Sequence, residues 1–174
     1  QAKDAHGNNR PDASGINAVE VTVSGSNSVR PITATHIGNG VFRATYTPTQ
    51  TGADNVANGT DNIDITMDVV VGVDGAISGS PFSSTVSPGA VASFVVDEAG
   101  AGAVPDAIPN QTAGTSFNIR ITALDANGNV ATSFTGAGNA VTISATGTLS
   151  QGSGTTAAFT NGQLASHAVT FSSA

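Results

Sequence analysis

Two stretches of this chain repeat each other about 122 positions apart, and the repeat limits the possible folds more than any other feature. Three blocks match in the same order: residues 2–8 with 123–129, residues 17–25 with 139–147, and Asn39-Gly40 with Asn161-Gly162. Blocks that recur in order indicate tandem copies of one structural unit. Because the copies are out of phase with the chain ends, we expect two tandem domains, both truncated by the chain ends.

Apolar and polar residues alternate along most of the chain, which predicts strands rather than helices. The clearest run covers residues 63–73, where isoleucine, methionine and valine share one face and Asp64, Thr66 and Asp68 occupy the other. One apolar face and one wet face are typical of antiparallel sheets. Turns such as Asn127-Gly128 separate the runs. The predicted fold class is therefore all-β, with two antiparallel β-sandwiches.

Ser87-Pro88-Gly89 marks the expected boundary, because proline and glycine end strands. The predicted domains are residues 1–88 and residues 89–174. The inward positions of the alternation predict one core for each domain. The first core is expected to hold Phe42, Tyr46, Ile65, Met67, Val69 and Phe82, with Val19 and Val21 opposite. The second is expected to hold Phe94, Phe117, Ile119, Ile121, Val141 and Ile143.

Composition limits the partners and the cellular location that we expect for this chain. The net charge is −7 and charged residues make up only 10% of the chain, while threonine, serine, glycine, asparagine and alanine are abundant. An acidic surface repels phosphate backbones, so we expect no nucleic-acid partner. No apolar run approaches the roughly 20 residues of a membrane span, so none is predicted. Polar, uncharged composition is typical of extracellular β-repeats, which predicts an extracellular or cell-surface location.

Two motifs occur in order in the first half, Tyr46-Thr47-Pro48 and Gly79-Ser80-Pro81-Phe82. With them, residues 1–88 resemble the filamin-type immunoglobulin-like repeat, which has a tyrosine–threonine–proline turn after its fifth strand and a glycine–serine–proline–phenylalanine start to its seventh. The resemblance implies an immunoglobulin-like sandwich that lacks its N-terminal strands. Strand B would end at Lys3, and strands C to G would follow at residues 18–24, 29–36, 41–47, 63–73 and 81–86. Filamin repeats bind peptides beside strands C and D, and Pro31 in strand D is expected to blunt that edge.

The second half carries three short stretches of interest, residues 113–119, 123–129 and 159–162. On the basis of these three stretches, residues 89–174 resemble the immunoglobulin-like repeats of secreted bacterial surface proteins. The resemblance implies a second sandwich that lacks its C-terminal strands. The open β-edges predict association with neighbouring repeats or with copies of the same protein.

Two acidic, amide-rich segments are the candidate cation sites. Carboxylate and amide oxygens are calcium ligands, and several lie within one turn in each segment. The candidate ligands are Asp54, Asn58, Asp61, Asp125 and Asn127. The alternatives are a solvated loop for the first segment and a hydrogen-bonded Asx turn for the second, and we expect no metal site or cofactor. If any ion binds, calcium is the expected one.

No serine, histidine and acid occur in a pattern that indicates a nucleophile and its base, so we predict no catalytic residue and no enzyme activity. The predicted function is a structural repeat, a spacer, stalk or filament segment of a larger extracellular bacterial protein. The alternatives are an adhesin or carbohydrate-contacting binding module, and an accessory domain of a secreted enzyme. A platform of exposed aromatic residues would distinguish the binding module.

Overall fold

The computed structural model of this chain describes residues 2–3, 6, 8, 11–51, 59–69, 75–78, 80–100 and 107–172, with side chains at all of these except 69, 75 and 76. The regular structure in these residues is β throughout and contains no helix. All strand pairs are antiparallel, which confirms the predicted all-β class. The described residues form two compact units: unit 1 extends to Ser87, and unit 2 begins at Pro88.

Unit 1 contains a five-stranded sheet and a separate hairpin. The strands are β1 (Ile16–Gly25), β2 (Val29–Thr33), β3 (Thr35–Gly38), β4 (Val41–Arg43), β5 (Gly59–Val69), β6 (Gly75–Ala76) and β7 (Phe82–Val86). In the large sheet β2 pairs with β1, β1 with β5, and both β6 and β7 with the other edge of β5. Strands β3 and β4 pair with each other.

Strands β1 and β5 form the centre of unit 1 because their apolar alternations coincide in register. Val21 lies opposite Ile65 and Val23 lies opposite Ile63. Side chains that face each other across neighbouring strands pack together, so these pairs form one continuous apolar face. The expectation that Val19 and Val21 lie opposite Ile65 in a second sheet is wrong, since all three belong to the same sheet.

Two strands of unit 1 differ from the predicted extents. The strand predicted at residues 29–36 is divided at Ala34, with β2 in the large sheet and β3 in the hairpin. Ala34 is buried and its N–H donates to the carbonyl of Val19, 2.7 Å away, where the chain leaves the large sheet. The strand predicted at residues 41–47 is paired only as far as Arg43. Residues 70–73 of the predicted 63–73 strand lie outside the described residues.

Unit 2 contains a four-stranded sheet and a two-stranded pair. Its strands are β8 (Ser93–Glu98), β9 (Phe117–Leu124), β10 (Thr142–Ile143), β11 (Leu149–Gln151), β12 (Gly154–Thr155) and β13 (Gln163–Phe171). The order in the large sheet is β11-β13-β9-β8, and β10 pairs with β12.

The core of unit 2 lies on one face of β9 and β13. Its buried members are Ile119, Ile121, Phe159, Leu164 and Val169, with Phe117, Phe134, Val141 and Ile143 packed against them. Burial of side chains of this size stabilises the unit by roughly 1.5–3 kcal/mol each. This confirms the predicted inward positions on β9 and β10.

Two phenylalanines predicted to be core residues are exposed. Phe82 in β7 is 44% exposed and Phe94 in β8 is 42% exposed. Phe94 still makes edge-on ring contacts with Phe134 and Phe159, at centroid distances of 5.4 and 6.0 Å. Both expectations are wrong for one reason: alternation assigns a side chain to a face, but a face is buried only where another layer covers it.

The sequence repeat recurs in the backbone of both units. Asn39-Gly40 and Asn161-Gly162 both have positive φ at each residue, 51° and 68° in unit 1 and 48° and 80° in unit 2. The N–H of Ala2 donates to the carbonyl of Gly40 at 2.7 Å, and the N–H of Ala123 donates to the carbonyl of Gly162 at 2.8 Å. The matched turn therefore has the same backbone conformation in both units and accepts the same backbone hydrogen bond.

Candidate functional site

The structure describes three of the five candidate calcium ligands, Asp61 of the first segment and Asp125 and Asn127 of the second. Asp54 and Asn58 lie outside the described residues. Asp61 belongs to unit 1 and Asp125 to unit 2. No group of three or more histidine or acidic side chains that could hold a metal ion occurs among the residues that the structure describes.

Asp61 joins three segments of unit 1 through hydrogen bonds. Its side chain is fully buried, and it accepts from the backbone N–H of Asn27 at 2.8 Å and from the Asn27 amide at 2.9 Å. The Tyr46 hydroxyl donates to the same carboxylate at 3.2 Å. Burial raises the pKa of Tyr46, and the charge of Asp61 raises it further. Asn27 in turn accepts from the N–H groups of Thr49 and Gln50, so the cluster fixes the turn that follows Tyr46.

Asp125 has the hydrogen bonding of an Asx turn. Its two carboxylate oxygens accept from the backbone N–H groups of Gly89, Asn127 and Asn129 and from the Asn129 amide, each at 2.9 Å. Burial alone raises the pKa of Asp125, but hydrogen bonds from Asn129, Gly89 and Asn127 hold the pKa below its usual value. Four donors use the acceptor capacity of a carboxylate, so the geometry favours the turn over a calcium ligand.

A buried ion pair that was not predicted from the sequence lies between β8 and β9. The guanidinium of Arg120 donates to both oxygens of Asp97, at 2.9 and 2.7 Å. Asp97 is fully buried and Arg120 is 9% exposed. The two residues are direct cross-strand partners. Pairing the polar positions of the two strands in register would have found this contact, but alternation within each strand could not.

Unit 1 contains an apolar groove of about 360 Å³. Its floor is the paired face of β1 and β5, and its wall is β4 with the residues that follow it. The lining residues include Val19, Val21, Ile32, Phe42, Tyr46 and Ile65. Apolar concave surfaces with one open edge are typical binding sites for extended peptides.

The wall of this groove has an open backbone edge. Strand β4 pairs with β3 on one side. Residues 44–47 continue the chain from Arg43 and belong to no strand ladder among the residues that the structure describes. Tyr46 on this segment is held by its hydrogen bond to Asp61, so the segment has a defined position. A sheet edge with unpaired backbone groups is a template for pairing with another strand.

Unit 2 has a groove of its own, of about 450 Å³, on the face of its core. It is lined by Val96, Ile108, Phe117, Ile143, Leu149 and Phe171, among others. Phe117 and Phe171 stack there with a centroid distance of 5.8 Å. Strands β9 and β13 lie along this groove and pair with each other. The groove of unit 1 is instead bordered by residues 44–47, which belong to no ladder among the described residues.

No helix of the described residues is long and apolar enough to cross a membrane. Comparisons with protein-family models, with curated proteins and with solved structures returned no match to this chain.

Proposed function

We propose that this chain is a non-catalytic structural repeat, a spacer, stalk or filament segment of a larger extracellular bacterial surface or secreted protein. The observation that carries the proposal is the repeat itself, which recurs as the same turn and the same hydrogen bond in both units. Tandem copies of one β-unit extend a molecule without requiring chemistry from each copy.

The units are proposed to be immunoglobulin-like sandwiches, of filamin type in unit 1 and of the bacterial surface type in unit 2. Sandwiches of the immunoglobulin class place strands A, B, E and D in one sheet and C, F and G in the other. In unit 2 the order β8-β9-β13-β11 corresponds to A-B-E-D. In unit 1 the order β1-β5-β7 corresponds to C-F-G. The strand orders support the proposed class.

Small-angle X-ray scattering on tandem arrays tests the structural role. Arrays of one, two and four copies of the chain should grow in maximum dimension in direct proportion to copy number. A flexible string of domains would grow only as about the square root of the number of linked segments. A matched array with a long glycine–serine linker between copies provides that reference. Growth no faster than in the linker array would refute a stiff spacer or stalk.

Cell-surface labelling tests the proposed location. An antibody raised against the chain should label intact, unpermeabilised cells of the source organism or detect the protein in the culture medium. Labelling that requires permeabilised cells would contradict the extracellular proposal.

A further inference from the structure

We propose that Asp125 sets the stiffness of the junction between the two units, because its carboxylate holds the backbone of Gly89 at the start of unit 2. With Gly89 held, Ser87 and Pro88 are the two residues between the last strand of unit 1 and the anchored part of unit 2. The inference deepens the proposed spacer role and rests on it, since an array of units is only as stiff as its junctions.

The junction begins at the end of β7. This strand ends at Val86, which lies opposite Gly59 in the ladder with β5. Val86 is also buried. A paired and buried residue does not move separately from its sheet, so the chain is fixed to unit 1 as far as Val86.

The anchor on the side of unit 2 is a hydrogen bond. The N–H of Gly89 donates to Oδ2 of Asp125 at 2.9 Å. Hydrogen bonds to an ionised acceptor are about twice as strong as those between neutral groups. The contact is close, since a Cβ added at Gly89 would lie 3.4 Å from the same oxygen.

The carboxylate of Asp125 is itself held in place. Its Oδ1 accepts from the N–H groups of Asn127 and Asn129, and its Oδ2 also accepts from the amide of Asn129. Asp125 is buried. An anchor fixed by three further hydrogen bonds cannot rotate with the linker, so the linker takes its direction from unit 2.

The backbone of the junction shows what this anchor restrains. The ring of Pro88 fixes its φ at about −65°, and the residue before a proline is confined mostly to extended conformations. Ser87 and Pro88 are therefore already restricted. Glycine has more backbone freedom than any other residue, so Gly89 would act as a hinge if its N–H were released.

Release of Gly89 would also lengthen the unanchored segment. Among the described residues, the next backbone N–H along the chain that bonds to the sheet is that of Ala92, which donates to the carbonyl of Leu124 at 2.7 Å. Loss of the Asp125 anchor would therefore extend this segment from residues 87–88 to residues 87–91. Asp125 thus decides whether the linker has two residues or five.

Spin labels on the full chain test this inference. The sequence has no cysteine, so labels can be attached through Thr66→Cys in unit 1 and Ser166→Cys in unit 2, both exposed positions. Double electron–electron resonance then measures the distribution of the distance between the two labels. Asp125→Ala should broaden this distribution about 1.5-fold, because the spread of a flexible segment grows as about the square root of its length.

Hydrogen exchange measures the anchor directly. The amide of Gly89 should exchange about tenfold faster or more in the Asp125→Ala variant, because it loses a hydrogen bond to a charged acceptor. The amide of Ala92, which bonds to a backbone carbonyl, should keep its rate within about twofold.

Two control variants separate the anchor from the stability of the turn. Asn129→Ala removes one donor to the carboxylate but leaves Gly89 its acceptor, so it should lower stability without broadening the distance distribution. Asn127→Ala keeps its backbone donor and changes only an exposed side chain, so it should have neither effect. A second label pair within unit 2, at Ser133→Cys and Ser166→Cys, should keep its width in every variant and shows that the unit remains folded.

Three results would overturn the inference: a broad distribution in the unchanged chain, no broadening in the Asp125→Ala variant, or equal broadening in the Asn129→Ala variant. The scattering arrays report on the spacer role independently. Linear arrays whose dimensions do not change with Asp125→Ala would leave the spacer role standing and remove the anchor. Collapsed arrays of the unchanged chain, together with a label distribution that depends on Asp125, would remove the spacer role and support the anchor.

Discussion

Units 1 and 2 contain matching sequence blocks, yet the matched segments form very different lengths of strand. Residues 17–25 lie within the ten-residue strand β1, whereas the matched residues 139–147 contain only the two-residue strand β10. Strand β1 has a long partner on each side, β2 and β5, while the ladder of β10 is with β12 over two residues. The partners available to a segment therefore decide how much of its β-tendency becomes strand.

Side-chain burial, in contrast to strand length, is greater in unit 2 than in unit 1. Strand β9 of unit 2 is buried on both faces, with Ile121 and Thr122 both nearly inaccessible. Strand β1 of unit 1 has longer ladders, but Val21 is only half-buried and faces the groove. A complete ladder satisfies backbone groups, and a complete core requires a second layer over the apolar face. Unit 1 has the longer backbone ladders, and unit 2 has the more complete core.

The largest expected effect concerns the polar face of β9. Arg120→Met would leave the carboxylate of Asp97 buried without its cation, which should cost about 3–5 kcal/mol of unfolding free energy. Hydrogen exchange of β9 amides in denaturant measures this cost. The double variant Asp97→Leu with Arg120→Met should recover most of the loss. The polar face of β1 is exposed, so Glu20→Met should change the free energy of unfolding by less than about 0.5 kcal/mol. A loss at Glu20 as large as that at Arg120 would show that the polar faces of the two strands do not differ.

The apolar faces give the next effect. Ile119→Ala should cost about 2–5 kcal/mol, because Ile119 is buried within the unit 2 cluster. Ile65→Ala in unit 1 should cost about 1–2 kcal/mol, because Ile65 is half-buried beside the groove. Thr66→Ala, at an exposed neighbour, is the control for a change without burial. Equal costs for the two isoleucines would mean that the groove of unit 1 is already covered in solution.

Alternation and turn chemistry were sufficient to predict the all-β class and the central strands β1 and β5 of unit 1, whereas no strand was predicted where β13 lies. The pairing of residues 19–23 with residues 63–67 in one sheet was not predicted, because alternation shows which residues share a face of a strand but not which strands are neighbours. The positive φ values at Asn39-Gly40 and Asn161-Gly162 follow from the conformational freedom of asparagine and glycine. The Asx turn at Asp125 follows from the spacing of its amide donors.

The errors arise wherever a second layer or a strand register decides the outcome. Phe82 alternates correctly but is exposed, because its face of β7 is not covered by other described residues. The division at Ala34 depends on a transfer between sheets, which no local pattern encodes. The Asp97–Arg120 pair and the Asn27–Asp61 cluster depend on long-range register, since their partners are 23 and 34 residues apart.

Asp125 provides a pH-dependent test of unit 2. Its folded-state pKa is lowered, so its contribution to stability is present above the unfolded-state pKa of about 3.9 and is lost as pH falls through the folded value. Asp125→Asn should cost about 1–3 kcal/mol at pH 7, because an amide nitrogen would face N–H donors. The variant should then lose less stability than the unchanged chain between pH 5 and the acid range, roughly pH 2–3. An identical acid loss in both proteins, measured by denaturant titration, would exclude this role.

The smallest effect on stability is expected at Pro31, where the contrast between the two edges of unit 1 can be sharpened. Strand β2 is the outer strand of its sheet, and its register with β1 is irregular between the pairs at Val21 and Val23, where Pro31 lies. Proline is tolerated at such irregular edge positions, so Pro31→Ala should change stability by less than about 0.5 kcal/mol. The variant gains a backbone donor at an edge, so sedimentation should show more association at high concentration than the unchanged chain. A large loss of stability with no gain in association would mean that proline holds the shape of β2 rather than protecting its edge.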